Sequence, residues 1–405
     1  MGRHHRLTGE RRTPDPRTAD HRPPWPQRRL DEVVARIAER PPLVTADSVT
    51  RLRRRLAEVA RGEAFLLQGG DCAETFDAVS TARVRALSDT MARMAATLTG
   101  ALAVPVVRVG RIAGQYAKPR SKPTEIRAGV ELPAYLGDAV NDRRFTAAAR
   151  AADPGRLLTA CETAAATLEL LHAADPEMFA SHEALLLEYE TALARTAPGD
   201  GRRYGSSGHL LWIGERTRRL DGPHLAFAAS VHNPVAVKLG PSATGDEVRA
   251  LIERLDPDRT PGRLTFVTRL GAHRVRDVLP DLVVAARAAG AAPVWVCDPM
   301  HGNTFEVAGG RKTRHVDQLL AEIEEFWTVL CRHGVRPGGL HLEMTGEDVT
   351  ECLGGPAGLV PDDLRRRYET ACDPRLNRDQ ALGLAAHTAE FVRRTAGTGP
   401  CGQEA

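Results

Sequence analysis

Short apolar runs recur along this chain, each closing on glycine or a charged cluster and most followed by an amphipathic stretch. That alternation constrains the fold more than any other feature. The runs are AFLLQGG (64–70), VPVVRVGR (104–111), LLWIGER (210–216), PVAVKLG (234–240), RLTFVTRLG (263–271), APVWVCDPMHG (292–302), GLHLEMTG (339–346) and, weakly, YETACDP (368–374). Continuous apolarity suits strands covered on both faces, as in parallel sheets. Between them lie helix-like segments such as VSTARVRALSDTMARMAATLT, ATGDEVRALIERL and VDQLLAEIEEFWTVLCRHG. Strand and helix in alternation predict an α/β protein, a closed (β/α)8 TIM barrel. No G-x-G-x-x-G opens a helix, which disfavours an open doubly wound sheet. The gap 122–209 is too long for one crossover. It predicts an extra helical segment between the second and third strands, built from CETAAATLELLHAA and SHEALLLEYETALART.

The Arg- and Pro-rich residues 1–24 lack the apolar core of a secretory signal and read as a disordered arm. Residues 25–394 form one barrel domain with an N-terminal extension, and 395–405 a flexible tail. A net charge of +3 gives no field for a polyanion, so a nucleic-acid partner is not expected. No apolar run reaches the length of a membrane span. Seven cysteines without a C-x-x-C pair suggest mostly free thiols and a cytoplasmic location.

In such a barrel the residues just past the carboxyl ends of the strands converge on one face. That position yields Cys72, Arg111, Glu215 with Arg216, Lys238, Arg269, His301, Glu343 and Asp373. Cys72, His301, Glu343 and Asp373 offer a thiolate, an imidazole and two carboxylates, which suit Mn²⁺, Fe²⁺, Co²⁺ or Zn²⁺. Singly, each has a duller reading as a buried thiol or a satisfied polar group. Arg111, Arg216, Lys238 and Arg269 call for an anion with more than one charge, although any one alone suits an ordinary ion pair. KPRS, Lys118 to Ser121, looks like a second phosphate site nearby. The residues alone therefore suggest a metal-assisted enzyme acting on two phosphorylated or carboxylated small molecules.

The motifs QGGDCAETF, RVGRIAGQYAKPRS, WIGERTRRLDG, NPVAVKLGP, CDPMHGNT, GGLHLEMTGEDVTECLGG and ACDPRLNRDQAL together resemble type II (plant-type) 3-deoxy-D-arabino-heptulosonate 7-phosphate (DAHP) synthases. The likeness runs from PPWP near residue 23 to about residue 394. It implies a metal-dependent TIM barrel, with Mn²⁺ or Co²⁺ foremost, condensing phosphoenolpyruvate (PEP) with erythrose 4-phosphate at the head of the shikimate pathway. It implies the metal ligands Cys72, His301, Glu343 and Asp373, and a PEP site of Arg111, Glu215, Arg216, Lys238 and Arg269. Lys118, Arg120 and Ser121 would take erythrose 4-phosphate. Arg111 would hold the PEP carboxylate, and Glu215 and Lys118 are the candidates for moving protons. A homodimer or higher oligomer and a chorismate mutase partner are family expectations. Cys372, adjoining Asp373, reads as a redox partner for Cys72 or as a plain buried thiol.

Two departures stand out. The chain passes from TLELLHAADPEMFA directly to SHEALLLEYE, without the longer stretch that builds feedback sites in full-length members. This predicts insensitivity to Phe, Trp and Tyr, as in enzymes serving secondary metabolism. YLGD (135–138) stands where the family usually has YRGD, which raises the alternative of an imino sugar phosphate and an aminoDAHP product.

Overall fold

The structure, a computed structural model of the 405-residue chain, describes residues 15–120 and 122–395. Eight parallel strands close into a barrel: β1 (Phe65–Gly70), β2 (Val106–Arg111), β3 (Phe179–Glu183), β4 (Leu210–Ile213), β5 (Val235–Leu239), β6 (Leu264–Thr268), β7 (Val294–Cys297) and β8 (Gly339–Glu343). Each pairs with its sequence neighbours, and β1 closes the ring on β8 with Gly70 beside Glu343. β1 can lie against β2 at that point because Gly70 adopts φ +147° and a Cβ there would stand 2.5 Å from the Arg111 carbonyl oxygen.

Outside the ring run α3 (Thr81–Leu102), α4 (Gly155–Ala174), α5 (Pro223–Ser230), α6 (Gly245–Leu255), α7 (Val275–Ala288), α8 (Val316–Arg332) and α9 (Arg378–Thr395). Before the barrel come α1 (Gln27–Ala38) and α2 (Ala46–Ala60). Leu52, Leu56 and Val59 of α2 pack with Leu66, Val107, Leu210, Ala236 and Val294 near the strand starts. That helix plugs the amino-terminal end of the barrel, each buried aliphatic side chain contributing roughly 1.5–3 kcal/mol. The opposite end stays open and polar, as catalytic barrels require.

The barrel is the expected one, with two strands reassigned. YETACDP forms no strand: it is a loop laid across the mouth, and β8 already closes the ring against β1. The missing strand is FASHE, within the stretch expected to supply an extra helical segment. The segment between β2 and β4 therefore holds an ordinary crossover helix, a barrel strand, a short helix Leu187–Ala192, and two hairpins. One hairpin, Thr124–Arg127 with Val130–Pro133, contributes to the mouth.

The arm expected to be disordered is placed from Asp15 onward. Arg22 Nε lies 2.5 Å from Glu188, and Trp25 is buried. Residues 1–14, Ser121 and 396–405 lie outside the described residues, as does most of the expected tail. No helix among the described residues is long and apolar enough to cross a membrane.

Candidate active site

The barrel mouth opens into a cavity of about 870 Å³ lined by Arg111, Lys118, Arg120, Glu215, Arg216, Lys238, Arg269, His301 and Asp373. Of the sequence-derived site residues, Cys72 and Glu343 lie buried beside it and Ser121 is outside the described residues. Donor atoms of Cys72, Glu343 and Asp373 lie within 4.8 Å of one another. The fourth expected ligand, His301, stands beside this group, its Nε2 3.1 Å from Glu343 Oε1. The Lys118 ammonium sits among them, 2.6 Å from Cys72 Sγ, 3.2 Å from Glu343 and 3.5 Å from Asp373. A cation at the focus of a thiol, an imidazole and two carboxylates is what the donor set attracts, and it fits a divalent first-row metal.

Their electrostatics agree. Burial alone would raise the Glu343 carboxyl, but His301, Lys118 and Arg314 hold it well below the usual range. Asp373 is likewise lowered against its burial, chiefly by Lys118. Burial pushes the Cys72 thiol up, so its thiolate needs a cation beside it. Cys372 shares a hydrogen bond with Cys72 and lies 3.8 Å from Arg120 Nη1; both thiols are free.

Asp373 does not arrive on a strand. Its loop is anchored by a parallel bridge between Met344, just past β8, and Leu376. Thr370 Oγ1 donates to the Asp373 carbonyl at 2.7 Å, and Arg314 bonds both Glu343 and the Pro374 carbonyl. His301 is oriented by Asp298, whose carboxylate is 2.8 Å from Nδ1 and leaves Nε2 facing Glu343.

Arg111 ends β2 and uses three of its five N–H groups: Nε on the Asp71 carbonyl at 3.1 Å, Nη2 on Glu343 at 3.0 Å, and Nη1 on His341. Two N–H groups remain for a ligand. His341 is buried and its pKa is pushed well down, so its Nε2 accepts from Arg111 while Nδ1 donates to Gln68 at 2.7 Å. Trp212 lies beneath both cations, its ring 5.1 Å from the Arg111 guanidinium and 6.0 Å from Lys238 Nζ. Lys238 pairs with Asp298; burial nonetheless lowers its pKa to about 8. Arg269 Nη2 donates to the His301 carbonyl at 2.9 Å, and Arg216 stands exposed at the rim.

Glu215 is placed by a relay. Glu247 completes the capping box of α6 with Thr244 and also takes Arg218 Nη1 at 2.7 Å. Arg218 then forks onto both Glu215 oxygens at 3.1 Å, and the Gly240 N–H donates at 2.7 Å. This carboxylate is fully engaged and anchors the wall beside Arg216. In KPRS, the Lys118 N–H donates to the Leu136 carbonyl at 2.9 Å, so YLGD supports that loop from behind.

Sequence reasoning missed Asp298, Arg314, His341, Trp212 and Glu183. Asp298 lay in plain view in CDPMHG. Glu183 was hidden because FASHE was not read as a strand; the strand-end rule applied to β3 points straight at it.

Comparison with known proteins agrees with this geometry. A family model described as the class-II DAHP synthetase family matches residues 12–177 and 172–389. Phospho-2-dehydro-3-deoxyheptonate aldolase of Streptomyces coelicolor (strain ATCC BAA-471 / A3(2) / M145) is 49% identical over 417 residues, covering 90% of this chain and 93% of that protein. The AroG aldolase of the same name from Mycolicibacterium smegmatis (strain ATCC 700084 / mc(2)155) is 44% identical over 411 residues, covering 87% and 88%. A solved phospho-2-dehydro-3-deoxyheptonate aldolase from Francisella tularensis SCHU S4 superimposes with a TM-score of 0.49 at 14% identity, over 90% of this chain and 97% of that one. The fold assignment rests on the strand order and not on that likeness.

Proposed function

The chain belongs to the class-II DAHP synthetase family, and from that premise we propose how its residues divide the condensation of PEP with erythrose 4-phosphate and water into DAHP and phosphate. The observation that carries this reading is the cluster of Cys72, Glu343 and Asp373, with His301 against Glu343, beside a cavity lined by Arg111, Arg216, Lys238 and Arg269. Those four donors would hold a divalent metal, Mn²⁺ or Co²⁺ foremost, which supplies Lewis acidity at the aldehyde oxygen. Arg111, through its two remaining N–H groups, binds the PEP carboxylate. Arg216, Lys238 and Arg269 bind the PEP phosphate and hold C3 toward the aldehyde carbon. Lys118, Arg120 and Ser121 clamp the phosphate of the aldose, so one loop from Arg111 to Ser121 sets the approach of both substrates. PEP loses phosphate by C–O cleavage after water adds at C2.

Erythrose 4-phosphate is favoured over its imino analogue by the position of Leu136. That side chain packs against the hydrophobic core and does not line the cavity, so the change from YRGD leaves the aldose site untouched.

The enzyme is a short form without aromatic amino acid feedback, suited to secondary metabolism. In support, the two pieces of the family match meet at residues 172–177, and α4 passes to β3 through Asp175–Met178 alone. Asp175 is tied to Arg108 at 2.5 Å, which pins this short turn to β2. A homo-oligomer and docking of a chorismate mutase complete the reading on family grounds. Oxidation of Cys72 and Cys372 by a peroxide, two thiols giving a disulfide and the peroxide giving water, would remove a ligand and stop turnover. A Cys372→Ser variant is expected to lose that sensitivity.

The test is PEP consumption with each aldose offered separately, in the presence and absence of Phe, Trp and Tyr. Turnover with erythrose 4-phosphate, unaffected by the amino acids, is expected. Turnover only with the imino sugar, or inhibition at modest amino acid concentration, would overturn the corresponding part.

A further inference from the structure

Glu322 is a buried carboxylate that supports the mouth without lining the cavity. It sits midway along α8, in the buried stripe of Leu319, Ile323 and Phe326, where the helical pattern calls for another aliphatic side chain. Its charge is met by N–H groups from two other loops. Oε1 accepts from the backbone N–H groups of Leu270 and Gly271, each at 3.0 Å, and Oε2 accepts from Asn303 Nδ2 at 2.6 Å. Leu270 and Gly271 follow Arg269 at the end of β6, and Asn303 follows His301 after β7. One carboxylate thus grips both the loop that carries a PEP cation and the turn that carries a metal ligand.

The two loops also touch each other. Arg269 Nη2 donates to the His301 carbonyl at 2.9 Å, and the Ala272 N–H donates to Asn303 Oδ1 at 3.2 Å. Gly271 adopts φ +83°, and a Cβ at Gly302 would stand 2.3 Å from the Gly271 nitrogen, so glycine at both places lets the backbones meet. Asn303 closes its own turn through Nδ2 on the Pro299 carbonyl at 2.8 Å. Asp298 orients the His301 ring; Glu322 fixes the backbone from which that ring and Arg269 both project.

A carboxylate on the apolar face of a helix is costly, and burial raises its pKa to about 7 against these hydrogen bonds. Leucine would serve packing alone. What the three N–H contacts secure is the spacing between Arg269 and His301. We propose that Glu322 is a positioning residue that locks the Arg269 loop and the His301 turn into one unit, so that PEP and the metal each favour the arrangement the other needs. The proposal rests on the assignment of Arg269 to PEP and His301 to the metal, and deepens it with a residue that touches neither ligand. Coupling through one unit is reciprocal, so each ligand tightens the other by the same factor. Erythrose 4-phosphate, held by Lys118 and Arg120 on the loop after β2, lies across the ring from that unit.

The experiment compares the parent with Glu322→Leu, which keeps the apolar face of α8, and with Glu322→Gln, which keeps an acceptor for the two backbone N–H groups. PEP affinity is read by tryptophan fluorescence with and without Mn²⁺, Mn²⁺ affinity by the paramagnetic resonance of the free ion, and KM for each substrate by turnover. Urea titration checks that each variant is folded. Glu322→Leu is expected to weaken PEP and Mn²⁺ each roughly tenfold, to remove most of their mutual tightening, and to keep KM for erythrose 4-phosphate within about twofold. Glu322→Gln should recover part of each loss. Asn303→Ala should repeat the pattern and add little to Glu322→Leu, because both cut the same link. If Glu322→Leu does not fold, Glu322→Gln and Asn303→Ala are read against that pattern alone. Folded variants that bind PEP and Mn²⁺ as the parent does, or that weaken all three ligands alike, overturn the proposal while the enzyme reading stands. So does a parent whose PEP affinity is indifferent to Mn²⁺. A parent that binds neither PEP nor Mn²⁺ overturns both.

Discussion

At the scale of the residue, Asp298 serves two side chains at once. It orients His301 through Nδ1 and is the counter-ion of Lys238, so the proposed metal and PEP sites share one buried carboxylate. Burial opposes its ionisation, yet His301 and Lys238 keep its pKa well below the usual value. Asp298→Asn is expected to weaken Mn²⁺ binding about 10–100-fold, the ordinary effect of losing a carboxylate behind a histidine ligand, as read by chelator competition. Unchanged affinity would place His301 outside the metal shell. Lys238 makes the complementary prediction. Its pKa is lowered to about 8, so it is a cation below that pH and neutral above it. PEP affinity should therefore fall as pH rises through about 8, measured by direct titration of PEP. A Lys238→Met variant should bind weakly throughout and lose that dependence. A parent whose PEP affinity is flat from pH 7 to 9 by order-of-magnitude comparison would exclude Lys238 from the anion site.

At the scale of the element, the barrel was legible wherever strands were continuous apolar runs, and failed where polarity interrupted them. Phe179–Glu183 carries serine, histidine and glutamate because its side chains serve the interior network and the mouth. Its composition follows function more than burial, and ALLLEYE behind it supplied a stronger helical pattern. Tyr368–Pro374 misled in the opposite direction: its aspartate belongs to the site, so the segment was given a strand it does not form. Cys72, Arg111, Lys238, His301 and Glu343 were found because each follows or ends a strand that could be read. Their supports Arg314 and His341 were not, since contacts across the barrel leave no mark in sequence spacing.

Element-level energetics can be tested at α2. Leu56 is fully buried in the plug beneath the strands. Leu56→Ala should cost about 2–5 kcal/mol in a urea titration while leaving KM for PEP unchanged, because the cavity lies at the other end of the barrel. A large KM effect would show that the plug shapes the mouth.

At the scale of the whole molecule, the arrangement separates stability from chemistry. The amino-terminal end of the barrel is plugged by hydrophobic side chains, the wall is a closed ring, and the candidate site residues meet at the carboxyl-terminal mouth. The same separation keeps the short connection Asp175–Met178 away from the site, since that turn lies before β3 begins. The account's central claim is that Cys72, His301, Glu343 and Asp373 make a metal-dependent DAHP synthase of this mouth. The most direct test is to strip the purified protein of metal, restore Mn²⁺ or Co²⁺, and measure DAHP formed from PEP and erythrose 4-phosphate, with Cys72→Ser alongside. Turnover that vanishes on stripping, returns with metal and stays absent in Cys72→Ser is the predicted result. Full turnover by the stripped protein, or a Cys72→Ser variant as active as the parent, would contradict it.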